Sequence, residues 1–319
     1  MHWPNVSPPV LFFVLGMVAA LVRSNLRVPR AVTKLLSLYL LWAIGFTGGV
    51  KIAHGGLERD ALVAIALGAT FSVVTPIVVF TLMRRRLGVN DAAAVAAAYG
   101  SVSAVTFLTA SSALDAAGVA YGGHMVAVMA LMESPAIVVS MLLLRRAERD
   151  STARPMGWGH LLHESFLNGP VVLLLGSLLI GLFTGDRGFE AFRPLCKDLF
   201  NGVLVFFLLD LGLLAARRLR SFLARGPALV ALGLLLPPIN ASIAIALARW
   251  TGLGIGDAVL LATLAASASY IAVPAACRTA IPKAEPAVYV GLALAVTFPF
   301  NVVVGIPLYL AAVRWLWGA

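Results

Sequence analysis

In AAAYGSVSAVTFLTASSALD (96–115), Gly100 is followed by hydroxyls at Ser101, Ser103, Thr106 and Thr109, inside a stretch apolar enough to cross a bilayer. Lipid gives such groups no hydrogen-bond partner, so they must meet protein or a ligand. The pattern recurs at Ser267 and Ser269 in LAASASYIAVPAACR, with Pro274 five residues further on. Glycine or proline beside paired serines marks an interrupted helix, and proline suits the first turn of a new half-helix, where its missing N–H has no partner to lose. Two half-helices starting at such breaks each carry about half a positive charge and free N–H groups at their N-termini, which attract an anion. The half-helices that end there leave carbonyls that suit a small hard cation. Serine hydroxyls serve either ion. The competing reading, small residues that merely let helices pack closely, does not explain why both breaks carry the same motif.

Ionisable residues within apolar stretches are few, and each costs roughly 2.5–3.5 kcal/mol at mid-membrane. Asp210 in FFLLDLGLLAA and Glu133 in ALMESPAIVV are the two that interfacial placement does not explain. Cation coordination or proton coupling is the expected role. Asn301 and Asn240 are further cation-ligand candidates or polar ties between helices. The candidate sodium ligands are therefore Asp210, Glu133 and Asn301, with the Ser101 and Ser269 hydroxyls. Asp91 and Asp257 begin their helices and are expected to cap them. No Lys or Arg lies at mid-depth, so a small, singly charged anion fits better than a dianion, which would want guanidinium clamps. A cation travelling beside it lowers the energy of bringing charge into low dielectric.

Catalysis is the weaker alternative. Serine hydrolysis needs a base within hydrogen-bond reach, yet His54 and His124 lie near span ends, and His160 and His163 fall in the interfacial stretch GWGHLLHESF. An aspartyl-type pair would require Asp210 and Glu133 to share a proton. Cys196 and Cys277 fall on opposite sides of the expected topology and cannot pair. No cofactor or resident metal is expected, Na+ being cargo.

These residues need a membrane scaffold. The 319-residue chain is 61% apolar and 12% charged, with a mean hydropathy of +0.95, about half the charge of a soluble domain. Ten spans are expected, at 8–22, 33–49, 61–83, 91–113, 121–144, 167–184, 198–216, 228–248, 257–277 and 287–314. The first is not followed by an A-x-A-like cleavage signal, so it reads as a retained helix. With loops assigned alternately to two sides, 17 of the 24 Lys and Arg fall on one and 7 on the other. That excess predicts a cytoplasmic first side and both termini outside. It also accounts for the net charge of +10 without nucleic acid, since no basic run is interleaved with aromatics.

The chain repeats itself. NDAAAVAAAYGSVSAV (90–105) lies over GDAVLLATLAASASYI (256–271) at an offset of 166, pairing Asp91 with Asp257, Ser101 with Ser267 and Ser103 with Ser269. ALVA at 61–64 recurs at 228–231, and Pro135 matches Pro299. Five spans per copy is an odd number, so the copies insert in opposite senses. The fold class expected is an all-α polytopic membrane protein, a 5+5 inverted repeat whose spans 4 and 9 are discontinuous crossing helices. The copies occupy 1–144 and 167–319, joined by a cytoplasmic linker, 145–166.

YGSVSAVTFLTA, HMVAVMALMESPAIVV, FNGVLVFFLLDLGLLAARRL, ASASYIAVPAACR and VTFPFNVVVGIPLYL resemble the sodium-dependent bicarbonate transporters first known from cyanobacteria, over nearly the whole chain. The resemblance implies Na+-driven bicarbonate uptake across the cytoplasmic (inner) membrane by an elevator-like movement, and a homotrimer. It implies a core domain from spans 3–5 and 8–10 and a gate domain from spans 1–2 and 6–7. Bicarbonate and Na+ would sit around Gly100, Ser101, Ser103 and Thr106, with Ser267, Ser269 and Asp210 opposite. A cytoplasmic PII-like regulator that senses adenine nucleotides is the further implied partner. Two departures stand out. The segment 145–166 is short, and in AIGFTGGVKIA Thr47 stands where the family segment carries a lysine, with Lys51 following. The alternatives that remain are transport of another small monovalent anion with Na+ or H+, and Na+/H+ exchange.

Overall fold

In the bilayer every backbone N–H and C=O must be satisfied within the chain, which leaves helix as the economical solution for an apolar sequence of this kind. The computed structural model describes residues 8–55, 59–148, 169–223 and 226–318, and among them there is helix and no strand. The elements are α1 (Pro8–Leu21), α2 (Arg30–Gly55), α3 (Arg59–Leu87), α4 (Val89–Gly100), α5 (Ala104–Ala116) and α6 (His124–Ala147). After the linker come α7 (Gly169–Arg193), α8 (Phe200–Leu223), α9 (Pro227–Thr251), α10 (Ile255–Ala266), α11 (Ala272–Ala280) and α12 (Pro286–Trp317). Helix covers the described parts of the ten expected stretches, with ends displaced by a few residues, except at 101–103 and 267–271, where the fourth and the ninth are interrupted. His160, His163 and most of the expected linker lie outside the described residues. Among the described residues, seven segments are long and apolar enough to cross a membrane. The protein is a multi-pass membrane protein by length and composition, and its outer surface fits that environment, with Phe183 and Trp250 both 84% exposed.

The helices sort by their packing. α1 runs along α8 and α2 along α7, while α3 packs on α4 and α6, and α9 on α10. The first two pairings are backbone to backbone. A Cβ on Gly16 would overlap the Leu209 carbonyl oxygen, and one on Gly212 the Phe13 carbonyl oxygen. Gly49 and Gly181 meet Leu178 and Phe46 carbonyl oxygens in the same way. Small residues permit this approach and the dispersion contact it brings. The α4–α5 segment is buried over nearly all its length, at the centre of the second group.

Helix α12 carries two π-helical segments, Ala293–Thr297 and Asn301–Gly305. Such segments insert extra residues into a turn and re-aim the side chains around them. Here they turn Thr297 and Asn301 inward, where both are fully buried.

Asp91 and Asp257 correct the sequence reading. Each is the third residue of its helix, and the preceding caps, Gly88 and Gly254, offer no side-chain hydrogen bond. Instead the carboxylates reach sideways: Asp257 Oδ1 accepts from Gly122 N at 2.7 Å and Asp91 Oδ1 from Glu285 N at 2.7 Å. Each one ties the start of an interrupted helix to the loop entering a helix from the other half of the chain. The Asp257 tie is partly buried and the Asp91 tie is exposed, so the two should differ in worth. A hydrogen bond to a charged group contributes about 1.5–3 kcal/mol. Asp257→Ala is expected to lower the unfolding temperature in detergent clearly more than Asp91→Ala. Equal shifts would mean that burial does not set the strength of these ties.

Candidate functional site

Helix α4 ends at Gly100, and Ser101 is extended (φ −81°, ψ −179°). Ser103 then caps α5, its hydroxyl accepting from Thr106 N at 3.2 Å. The second break repeats the device. α10 ends with Ser267 extended (φ −86°, ψ 168°), and the Ser269 hydroxyl accepts from Val273 N at 3.3 Å, at the start of α11. Pro274 falls in that first turn, as the sequence implied.

The breaks bind each other. Ser103 N donates to Ser267 Oγ at 2.9 Å, and Ser269 N donates to the Ala98 carbonyl at 2.8 Å. Gly100, Ser101, Ser103, Thr106, Ser267 and Ser269 are thereby gathered at one buried junction. Water does not reach the Ser101 Oγ and Thr106 Oγ1 atoms, and neither has a hydrogen-bond partner. An unsatisfied buried hydroxyl costs about 1–3 kcal/mol, so two at one place are a sign of a ligand that would complete them.

A cleft of about 610 Å³, its open mouth included, lies beside the junction. Its lining joins both breaks, through Val102 to Val105 and Ser269 to Ala272, to α2 and α7, through Ser37 and Pro170. Glu133 on α6 is the acid in this lining, which holds no Lys or Arg. The N-termini of α5 and α11 meet the cleft and bring positive dipole ends to it.

The remaining sequence candidates lie elsewhere. Asp210 on α8 is not in the cleft lining and accepts a hydrogen bond from Thr33 Oγ1 at 2.6 Å. Asn301 donates to the Ala266 carbonyl at 2.8 Å and accepts from Tyr309 at 2.9 Å, while Asn240 donates to the Ala265 carbonyl at 3.0 Å. Lys51 stacks over Tyr121 at 3.5 Å from the ring centre, and Tyr121 donates to Asp115 at 3.3 Å. Sequence reasoning missed Ser37 and Tyr270 in the cleft. It also missed Thr297, which donates to the Gly233 carbonyl at 2.9 Å and bonds Tyr99. Tyr270 adjoins the second S-x-S motif and could have been flagged, but Ser37 sits in an ordinary apolar run.

Residues 8–314 match the model of the Na+-dependent bicarbonate transporter superfamily. The chain belongs to that superfamily. Among proteins of curated function, none matches it. Membership of the superfamily carries Na+-dependent bicarbonate transport as the general activity, with Na+ and bicarbonate as the transported pair.

Proposed function

We propose that this protein is a Na+:bicarbonate symporter that binds both ions where the two broken helices cross, and carries them by moving one group of helices against the other. The mobile core comprises α3–α6 and α9–α12, and the gate comprises α1, α2, α7 and α8. The observation that carries the reading is the pair of reciprocal hydrogen bonds joining the breaks, beside a cleft lined by both helix groups. The pairings support a 5+5 inverted repeat. α1 with α8 and α2 with α7 exchange under the same operation that exchanges Asp91 with Asp257 and Ser103 with Ser269. Irregular backbone at membrane depth is tolerated where it lines a cavity, and transporters place their sites at such repeat interfaces. An elevator movement, a homotrimer, a PII-like regulator, and an inner-membrane orientation with both termini outside complete the proposal and rest on the resemblance. Na+/H+ exchange by a carboxylate pair is not favoured, since Glu133 borders the cleft while Asp210 is bound to Thr33 outside its lining.

The test is uptake of isotope-labelled bicarbonate into vesicles with and without an inward Na+ gradient. The unmodified protein is expected to show Na+-stimulated uptake, and Ser101→Ala and Ser269→Ala to lose it while remaining folded. Uptake indifferent to Na+ would sink the proposal. Asp210→Asn separates two roles in the same assay. A loss confined to limiting Na+ marks a ligand, and unchanged uptake restricts Asp210 to its bond with Thr33.

A further inference from the structure

The cleft occupies one end of the seam between the gate and core helices, where Ser37 and Pro170 stand near the starts of α2 and α7. At the other end the seam is shut. There α2 meets the loop between α5 and α6. A Cβ on Gly123 would overlap the Gly48 carbonyl oxygen and stand 2.7 Å from Lys51 Cβ, and one on Gly48 would stand 2.7 Å from Val126 Cγ2. The Ser112 hydroxyl on α5 also donates to Asn201 Oδ1 on α8 at 2.9 Å, from core to gate. Ser37 and Lys51 are fourteen residues apart on α2, about 21 Å along its axis, so the closed end is well removed from the cleft.

Lys51 is the cation of this closure. Its ammonium lies 3.5 Å from the centre of the Tyr121 ring. Asp115 and Asp257, the acids whose charge reaches it, hold the loop that carries the ring. Asp115 Oδ2 accepts from the Tyr121 hydroxyl at 3.3 Å, and Asp257 Oδ1 from Gly122 N at 2.7 Å. Helix α10 braces the same loop, since a Cβ on Gly256 would overlap the Ala120 carbonyl oxygen. Tyr121 is thus a fixed platform of the core, reached by a flexible side chain of the gate. An ammonium over an aromatic face is attracted by the ring quadrupole, more strongly when partly desolvated, and both Lys51 and Tyr121 are half-buried. Thr47, one turn earlier, gives its hydroxyl to the Ala43 carbonyl of its own helix at 2.8 Å and takes no such part.

We infer that Lys51 is the latch of the closed end. Seated on Tyr121, it holds gate to core in the state seen here, and it must leave the ring before the core can move and open this end. The inference rests on the gate-and-core reading and adds the contact that sets the balance between its two end states. In the proposed orientation this is the outer end, so the latch favours the state that faces the cytoplasm.

The test is the rate at which a small thiol reagent modifies a cysteine placed in the closed seam of the full-length detergent-solubilised protein. Val126 is 1% exposed and faces Gly48, so Val126→Cys is expected to react slowly. The native Cys196 and Cys277 are buried, and the protein without the added cysteine gives their background. Adding Lys51→Met is expected to speed the reaction at least about tenfold, and Tyr121→Leu to do the same. Lys51→Arg and Tyr121→Phe, which keep a cation and a ring face, are expected to leave it slow. An unchanged rate in Lys51→Met, or Lys51→Arg as fast as Lys51→Met, would overturn the inference. Fast modification of Cys277 as well would mark an unfolded Lys51→Met variant, and Tyr121→Leu then decides from the core side. Failure of the symport reading looks different, as absence of Na+-stimulated bicarbonate uptake by the unmodified protein.

Discussion

Gly100→Leu is expected to abolish Na+-stimulated bicarbonate uptake and to destabilise the fold. A Cβ at Gly100 would overlap the Pro76 ring, lying 2.6 Å from Cδ, and would stand 2.9 Å from the Ala136 Cβ. Neither neighbour can swing aside: the proline ring is fixed in α3, and the alanine has no rotamer to change. The side chain must therefore push α4 away from α3 and α6, which also moves Ser101 and the Ala98 carbonyl that anchors the second break. Overpacking of this kind typically costs about 1–3 kcal/mol, and more when helices must separate. Gly176→Ala is the control, since a Cβ there meets nothing within 4 Å and alanine is the better helix former by about 1 kcal/mol. Uptake and thermal unfolding measured on both variants check the argument, and wild-type uptake by Gly100→Leu would refute it.

Ser267→Ala is expected to reduce uptake at least tenfold and to lower stability by about 1–3 kcal/mol, the range for stranding a buried donor. The Ser267 hydroxyl accepts from Ser103 N, and Ser103 is 3% exposed, so no water replaces it. In stability Ser269→Ala differs, although it belongs to the same motif. Ser269 contributes its backbone N–H to the contact with Ala98, which alanine keeps, and it loses only the cap on Val273, worth about 1 kcal/mol. Thermal unfolding of the two variants side by side is the measurement. Ser269→Ala melting below Ser267→Ala would mean that the hydrogen bonds joining the breaks do not hold the junction.

The positions of the breaks were legible because their signal is local. Gly100 with two serines, and two serines with Pro274, disfavour continuous helix wherever they occur, and the duplicated spacing told them from chance. The burial of Gly100, Ser101, Ser103, Thr106, Ser267 and Ser269 followed from the same pattern. What the sequence hid depends on partners far along the chain. Asp91 and Asp257 look like caps because capping is a local habit of aspartate, but their hydrogen bonds go to Glu285 and Gly122. Asn301 has the chemistry of a cation ligand, and only its place in a π-helical segment, facing Ala266, shows an amide donor at work. Ser37 joins the cleft because α2 meets α7, a pairing that its own neighbours in sequence do not encode.

The bonds between the breaks also bear on how the chain is made. Ser103 N–H, the Ala98 carbonyl and the Asp91 carboxylate find their partners at Ser267, Ser269 and Glu285. When α4 and α5 leave the ribosome, none of those residues has been synthesised. Polar backbone stranded in hydrocarbon is too unfavourable to persist. The nascent first half is thus expected to keep this interrupted helix out of lipid, sheltered at the insertion machinery, until the last quarter of the polypeptide arrives to complete it.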